Sequence, residues 1–394
     1  MSFNPQKYRQ ETPGCENVLH FNNAGASLMA TPVINAVKRH FELEIMNGSY
    51  EVQAIDAELI DSFYPNAAKL INAKPSEIAF IENATRSWDM PFYGLKFKAG
   101  DRIITAEAEY ASNFIAFLQM QKKVGIEIDV IPNDEYGQLS VKALQNKIDK
   151  RTKLIAITHV PTQGGLVNPV EEVGKIAKQA NIFYLLDATQ SVGQMPVDVQ
   201  KIGCDALCAT GRKFLRGPRG TGFLFVSEKV LDQIEPPFLD LHAAVWDQMK
   251  HYKMMEGSRR FETWETNYAN KIGLSTAINY ALDIGLDVIY ARIEKISKLL
   301  RENLSQIPGI ILEDLGKQKC GIVTFIHKEI PSEILSKQLK ENKINTSVSI
   351  EEYARLDLER RGLKSLVRAS VHYYNTEEEV SRFCETLERI TSSR

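Results

Sequence analysis

Cysteine is scarce in this chain of 394 residues: Cys15, Cys204, Cys208, Cys320 and Cys384 are five, odd in number and scattered. Such a set does not resemble a disulfide framework and fits a reducing compartment. Strong charge is missing too, since 48 Lys and Arg against 50 Asp and Glu leave a formal net charge of −2. That balance gives no electrostatic reason to expect nucleic acid or an anionic membrane as partner. No uninterrupted apolar run is long enough to span a bilayer, and the stretch MSFNPQKYRQETPGCENVLHF has neither the basic start nor the apolar core of a signal peptide. Repeats and low-complexity tracts are absent. These absences lead to the expectation of a cytoplasmic protein with a small-molecule ligand.

What is present is a globular composition, 44% hydrophobic and 25% charged. The length exceeds what one compact core supports, so one large and one small domain are expected. Short apolar runs rich in β-branched residues (EIAFIEN, DRIITAE, GIEIDVIP, KLIAITHV, NIFYLLD, DALCATG, TGFLFVS) have the character of buried strands. Segments such as SVKALQNKIDKRT and PVEEVGKIAKQAN lie between them with apolar residues at three- and four-residue steps. Strand and helix alternate, which predicts an α/β fold with a mostly parallel sheet. Pro236-Pro237 and the stretch through Trp264 interrupt that rhythm, and from about residue 270 a long helical pattern takes over. GIVTFIHK and SLVRASVHY then supply strands for a small α+β C-terminal domain. The expected division is 20–265 for the large domain and 1–19 with 266–394 for the small one.

In open α/β sheets ligands sit beyond the carboxyl ends of the strands. NIFYLLD ends in Asp187, and DALCATG ends at Gly211 and continues into Arg212 and Lys213. Alone, a strand-end Asp is commonly a helix N-cap and a lone lysine is usually solvated. Together, a carboxylate and an amine at neighbouring strand ends suit a cationic aromatic cofactor. Placed between Gly211 and Phe214, the lysine is also open to desolvation, which lowers its proton affinity toward that of a nucleophile and base.

The 39-residue stretch DATQSVGQMPVDVQKIGCDALCATGRKFLRGPRGTGFLF resembles the cofactor-lysine region of class V aminotransferase-like enzymes, the group of cysteine desulfurases, selenocysteine lyases and isopenicillin N epimerase. The resemblance implies the PLP-dependent transferase fold type I and pyridoxal 5′-phosphate (PLP) as cofactor. It makes Lys213 the Schiff-base lysine and Asp187 the partner of the pyridine nitrogen, the two catalytic residues. It also implies an amino acid substrate and a homodimer.

Further matches assign further roles by the same resemblance. FNNAGAS is similar to the substrate-side loop and puts Asn23 and Ala24 at the pocket mouth. Ala84, Thr85 and Arg86 match the turn that binds the cofactor phosphate at a helix N-terminus. Tyr110 stands where the family has a histidine stacked on the ring; an aromatic keeps the stacking and loses the proton exchange. Thr162 and Gln190 match residues near the phenolic oxygen, and Thr210 and Arg212 match phosphate contacts. Arg368, in VRASVHYYNTEEEV, takes the role of pairing with the substrate α-carboxylate. In RRFETWETN, Glu265 aligns with a threonine that the family brings to the phosphate across the dimer, and because a carboxylate repels phosphate, Thr266 or a shifted loop would have to take that role.

Desulfurases of this group use a loop cysteine ahead of the C-terminal arginine. Here that region, NTSVSIEEYARLDLERRG, offers Ser347 and Ser349 and no cysteine. Serine is a weak nucleophile toward sulfur, which disfavours persulfide formation on the chain. Cys204 and Cys208, four apart on one face of a strand, are expected in the core, and no metal site is expected. GPRGTG lacks the spacing of a phosphate loop. The segments EYASN, GRKFLRGPRG, RRFE and RASVHYYNTEEE are most similar to hercynylcysteine sulfoxide lyase-like carbon–sulfur lyases, which implies β-elimination from a cysteine derivative. Aminotransferase and epimerase are the alternatives with the same equipment. A non-catalytic binding protein on the same fold is the alternative of another class, and the retained Lys213, Asp187 and Arg368 argue against it.

Overall fold

The computed structural model describes residues 3–392. Its main sheet has seven strands: β1 (Ile78–Ile81), β2 (Arg102–Ala106), β3 (Glu127–Ile131), β4 (Thr152–Thr158), β5 (Phe183–Asp187), β6 (Ala206–Thr210) and β7 (Gly222–Val226). Their order is β1-β7-β6-β5-β4-β2-β3, parallel except for β7, which runs antiparallel to both neighbours. All seven apolar runs singled out in the sequence are these strands. Side chains alternate across a strand, so Ile104, Ile155, Leu186 and Leu207 enter one core while Ile103, Leu154, Leu185 and Cys208 enter the other. Helices cover both faces, which is why the inner strands are largely apolar rather than alternating, while the edge strand β3 alternates Glu127, Ile128, Asp129 and Val130. Cys204 differs from the expectation: it precedes β6 and packs in the core opposite to that of Cys208, so the two thiols do not share a face.

Three helices that follow strands matter for the site: α1 (Ala84–Gly94), α2 (Ala111–Val124) and α3 (Val170–Ala180). The chain then runs through α4 (Tyr268–Ile284) and α5 (Leu286–Leu304), bent by 80° at Gly285. Gly285 has φ +91°, a conformation that costs glycine little and other residues much. No single helix among the described residues is long and apolar enough to cross a membrane. Beyond the bend a second sheet forms from β8 (Ile310–Leu312), β9 (Ile322–His327), β10 (Ser347–Ile350) and β11 (Ser365–Ser370), antiparallel in the order β8-β9-β11-β10.

A separate core lies on this sheet, joining Ile293, Leu300, Phe325 and Val367 to Phe383 and Leu387 of the last helix. Two details depart from the expected division. Phe21 and Ala24 belong to this second core, and Leu274 and Ile278 of α4 belong to the first. Thus α4 spans from one core to the other, and the first loop is anchored on the small sheet by the Asn22–Ser370 bridge.

Candidate active site

The carboxyl ends of β4, β5 and β6 open into a cavity of about 110 Å³. Thr158, Asp187 and Thr210 are the last residues of those strands. Asp187 is held from two sides: Oδ1 accepts from the Thr189 amide (2.9 Å) and Oδ2 from Asn113 Nδ2 (3.1 Å). One edge therefore faces the cavity in a fixed orientation.

Lys213 sits on a turn made rigid by its successors. Arg216 N donates to Lys213 O (2.9 Å) and Gly217 N to Gly211 O (2.8 Å). Arg216 has φ +62°, a strained conformation for a side-chain-bearing residue, and its guanidinium is pinned by Leu28 O, the Tyr373 hydroxyl and the Thr12 hydroxyl. Gly211 is required by space, since a Cβ there would collide with Thr221 Oγ1 and Leu274 Cδ1. Burial pushes the Lys213 amine down to about 7, the Arg212 and Arg368 guanidinium groups push the same way, and Asp187 opposes them. Arg368 is itself pushed down to about 10 by burial and by Arg212.

Three buried or half-buried cations converge here, and none of Lys213, Arg212 and Arg368 makes an ion pair among the described residues. Arg368 Nε, Gln190 Oε1 and Thr189 Oγ1 are buried without partners. Unpaired buried cations and orphaned polar atoms are costly in a protein that leaves them so. The donor set fits a ligand carrying a phosphate, an aromatic oxygen and a carboxylate-bearing substrate. Asp187 on the opposite wall fits a ring nitrogen with a proton. At the N-terminus of α1, Asn83 Oδ1 caps the amide of Arg86 (2.9 Å), and Ala84 and Thr85 line the cavity.

The structure gathers most of the residues named from sequence around this one cavity: Ala84, Thr85 and Tyr110, then Thr162, Asp187 and Gln190, then Thr210, Arg212 and Lys213. Arg368 joins them through Thr162, donating to its carbonyl (3.0 Å) and its hydroxyl (2.6 Å). Others lie elsewhere. The Arg86 guanidinium pairs with Glu82 (3.3 Å) and stacks on Phe238, facing a second cavity of about 620 Å³ that also contains Thr266. Asn23 is fully buried, its Nδ2 donating to Ser370 O (2.8 Å) and its Oδ1 accepting from the Tyr374 hydroxyl, so Asn22 takes the outer position with Oδ1 near Arg368 (3.5 Å). Ala24 is also buried and presents its carbonyl to Gln190 (3.1 Å).

Asn83, Asn113, Thr158 and Thr189 were not singled out from sequence and all line the cavity. The spacing of Glu109 and Asn113, four apart at the start of α2, was the available signal for one of them.

Fold and cavity together define a PLP-dependent enzyme of the type I architecture. Residues 19–383 match the aminotransferase class V family, and the chain belongs to it. It is 32% identical over 396 residues to a probable cysteine desulfurase of Pyrococcus abyssi, covering 99% of this chain and 98% of that one. A cysteine desulfurase structure from Thermococcus onnurineus NA1, at 29% identity, superposes with a TM-score of 0.92 over 100% of both chains. A cystine C–S lyase in complex with its reaction product cysteine persulfide shares the fold at a TM-score of 0.87, with 23% identity over 96% of this chain and 99% of that one.

Proposed function

We propose that this chain holds PLP on Lys213 and cleaves the carbon–sulfur bond of a cysteine-type amino acid by β-elimination, without building a persulfide on itself. The observation that carries this reading is a set of cations without an ion pair among the described residues: Lys213 and Arg212 line one cavity with Asp187, and Arg368 reaches it through Thr162. When bound, the cofactor supplies a sink for the electron pair left at the substrate Cα. Lys213 forms the covalent link and, once displaced, moves the Cα proton; its low proton affinity suits both tasks. Asp187 holds the proton on the ring nitrogen. Ala84, Thr85, Thr210 and Arg212 take the phosphate, Tyr110 covers the ring, Thr162 and Gln190 address its oxygen, and Arg368 takes the substrate carboxylate. Thr266, remote from this cavity, is assigned to a neighbouring subunit's phosphate in a homodimer.

The sulfur step follows from the thiols. Elimination removes the Cα proton and breaks the Cβ–S bond with its electron pair leaving on sulfur; with one water the products are pyruvate, ammonia and a thiol. Transfer of sulfur to the enzyme would instead need a thiolate at the mouth. Cys15 and Cys320 are pushed up to about 11 and Cys384 to about 12, in each case first by burial, and Cys204 and Cys208 are pushed up further. None lies in the segment ahead of Arg368. The names of the relatives make cysteine and cystine the first substrates to test. Pyruvate and ammonia in equal amounts are expected, and alanine with no pyruvate would overturn elimination in favour of desulfuration.

A further inference from the structure

Two carboxylates lie under the cavity, and only one of them opens onto it. Asp187 does; Glu109, 3% exposed, does not. Four donors converge on Glu109. Its Oε1 accepts from the Tyr110 amide (2.7 Å), Asn113 Nδ2 (2.9 Å) and the Thr158 hydroxyl (2.5 Å), and its Oε2 from the Thr105 hydroxyl (2.7 Å). All four are neutral, and among the described residues Glu109 makes no ion pair. A buried carboxylate without a cation is uncommon. Burial pushes it up to about 7 against the pull of those donors.

The same Asn113 nitrogen that meets Glu109 also meets Asp187 Oδ2 (3.1 Å), so one amide bridges both carboxylates with its two hydrogens. The groups that touch Glu109 add no positive charge: β2 gives Thr105, β4 gives Thr158, Tyr110 caps α2 and Asn113 lies in its first turn; beyond Asn113, Asp187 meets Cys208, a neutral thiol raised by burial and by Asp187, and feels the Lys213 amine in the cavity. With Lys213 spent on the covalent link, the positive charge such a pair calls for is a protonated ring nitrogen at Asp187.

We propose that Glu109 is a positioning residue for the cofactor: through Asn113 it orients Asp187, through the Tyr110 amide it sets the stacking ring, and its charge supports the proton on the ring nitrogen. This rests on the assignment of Lys213 and Asp187 to PLP and is independent of whether the enzyme eliminates or desulfurates.

The experiment is a pH titration of the visible absorption band of the PLP-loaded enzyme, with cofactor affinity measured beside it. Removing negative charge lowers the proton affinity of the cofactor nitrogens, so Glu109→Gln should move the midpoint to lower pH by about one unit. Cofactor binding should weaken by about tenfold. Glu109→Asp keeps the charge and should restore most of the midpoint even where affinity stays low. Thr158→Val, nearly isosteric, makes Glu109 easier to protonate and should shift the midpoint the same way by less. A midpoint and affinity unchanged in Thr158→Val and in folded Glu109→Gln would overturn the proposal. So would a Glu109→Asp midpoint displaced as far as that of Glu109→Gln. Failure of the underlying site assignment shows separately, as a borohydride-trapped adduct that survives in Lys213→Ala.

Discussion

The molecule buries two lysines beside two cavities, and their surroundings are opposite. Lys271 is 4% exposed; its Nζ donates to the Tyr64 hydroxyl (2.8 Å), which donates to Glu262 Oε2 (2.9 Å). The ring of Tyr64 adds a cation–π contact at 4.3 Å. Burial lowers its proton affinity, and Glu262 opposes that in part. Lys213 is 9% exposed, and after burial its strongest influences are two guanidinium groups of its own sign. A buried lysine with its own counter-charge is a structural element; one surrounded by like charge is a reagent waiting for anions. The comparison also explains why the larger cavity, beside Lys271, is not taken as the active site.

The sharpest break between the two comes from removing each amine. Lys213→Ala should abolish the borohydride-trappable adduct and lower turnover at least about a thousandfold, while Lys271→Met should retain the yellow colour and the adduct. Colour retained in the first variant, or lost in a folded second variant, would collapse the distinction. Next in size is Arg368→Ala, which removes the proposed carboxylate partner and one of the like charges on Lys213. It should raise KM for the amino acid by about a hundredfold, and Arg368→Lys should recover only part, because an ammonium cannot grip a carboxylate in two places. A KM unchanged in both variants would take the substrate carboxylate away from Arg368.

The Lys213 side of this contrast was legible in the sequence, the Lys271 side was not, and the reason is local. Asp187, Thr210 and Lys213 sit within two or three residues of buried strand ends, so parallel-sheet geometry alone brings them together. Six of the seven strands were legible for the same reason, as each is a short, largely buried apolar run, and the edge strand β3, half exposed with Glu127 and Asp129, was legible from its alternating Ile128, Val130 and Ile131. Side-chain partnerships over long separations were not. Asn113 meets Asp187 across 74 residues and Arg368 meets Thr162 across 206, and no local pattern carries such pairings. Asn22 and Asn23 show a finer limit: adjacent identical side chains point oppositely, and only the Ser370 and Tyr374 contacts decide which is buried. The core change within α4 was hidden because one helix serves both cores.

A smaller effect follows from pH. On the role proposed for it, Lys213 captures the cofactor as the neutral amine, and its affinity for a proton is depressed to about 7 from the 10.5 of an ordinary lysine. In protein freed of cofactor, the rate of PLP capture should therefore rise about tenfold per pH unit below 7 and level off above it. Adding Arg368→Ala removes one repelling charge, so the leveling point should move to higher pH. A rate still climbing toward pH 10 in the parent protein would put Lys213 in the solvated class and erase its difference from a surface lysine.

The smallest effect tests the other lysine. Tyr64→Phe deletes the hydroxyl that both accepts from Lys271 and donates to Glu262, leaving the Lys271 ammonium with aromatic faces and no hydrogen bond. Leaving buried polar groups unsatisfied costs about 1–3 kcal/mol, which chemical unfolding should show as a lowered midpoint. Glu262 keeps the Phe80 amide (2.7 Å) and His242 (3.0 Å), so the loop from residue 262 stays anchored and the loss is confined to the lysine. The cofactor band and its pH midpoint should not move, because Tyr64 and Lys271 contribute nothing to the cavity of Lys213. A Tyr64→Phe variant with full stability but altered cofactor spectra would join the two buried lysines into one site.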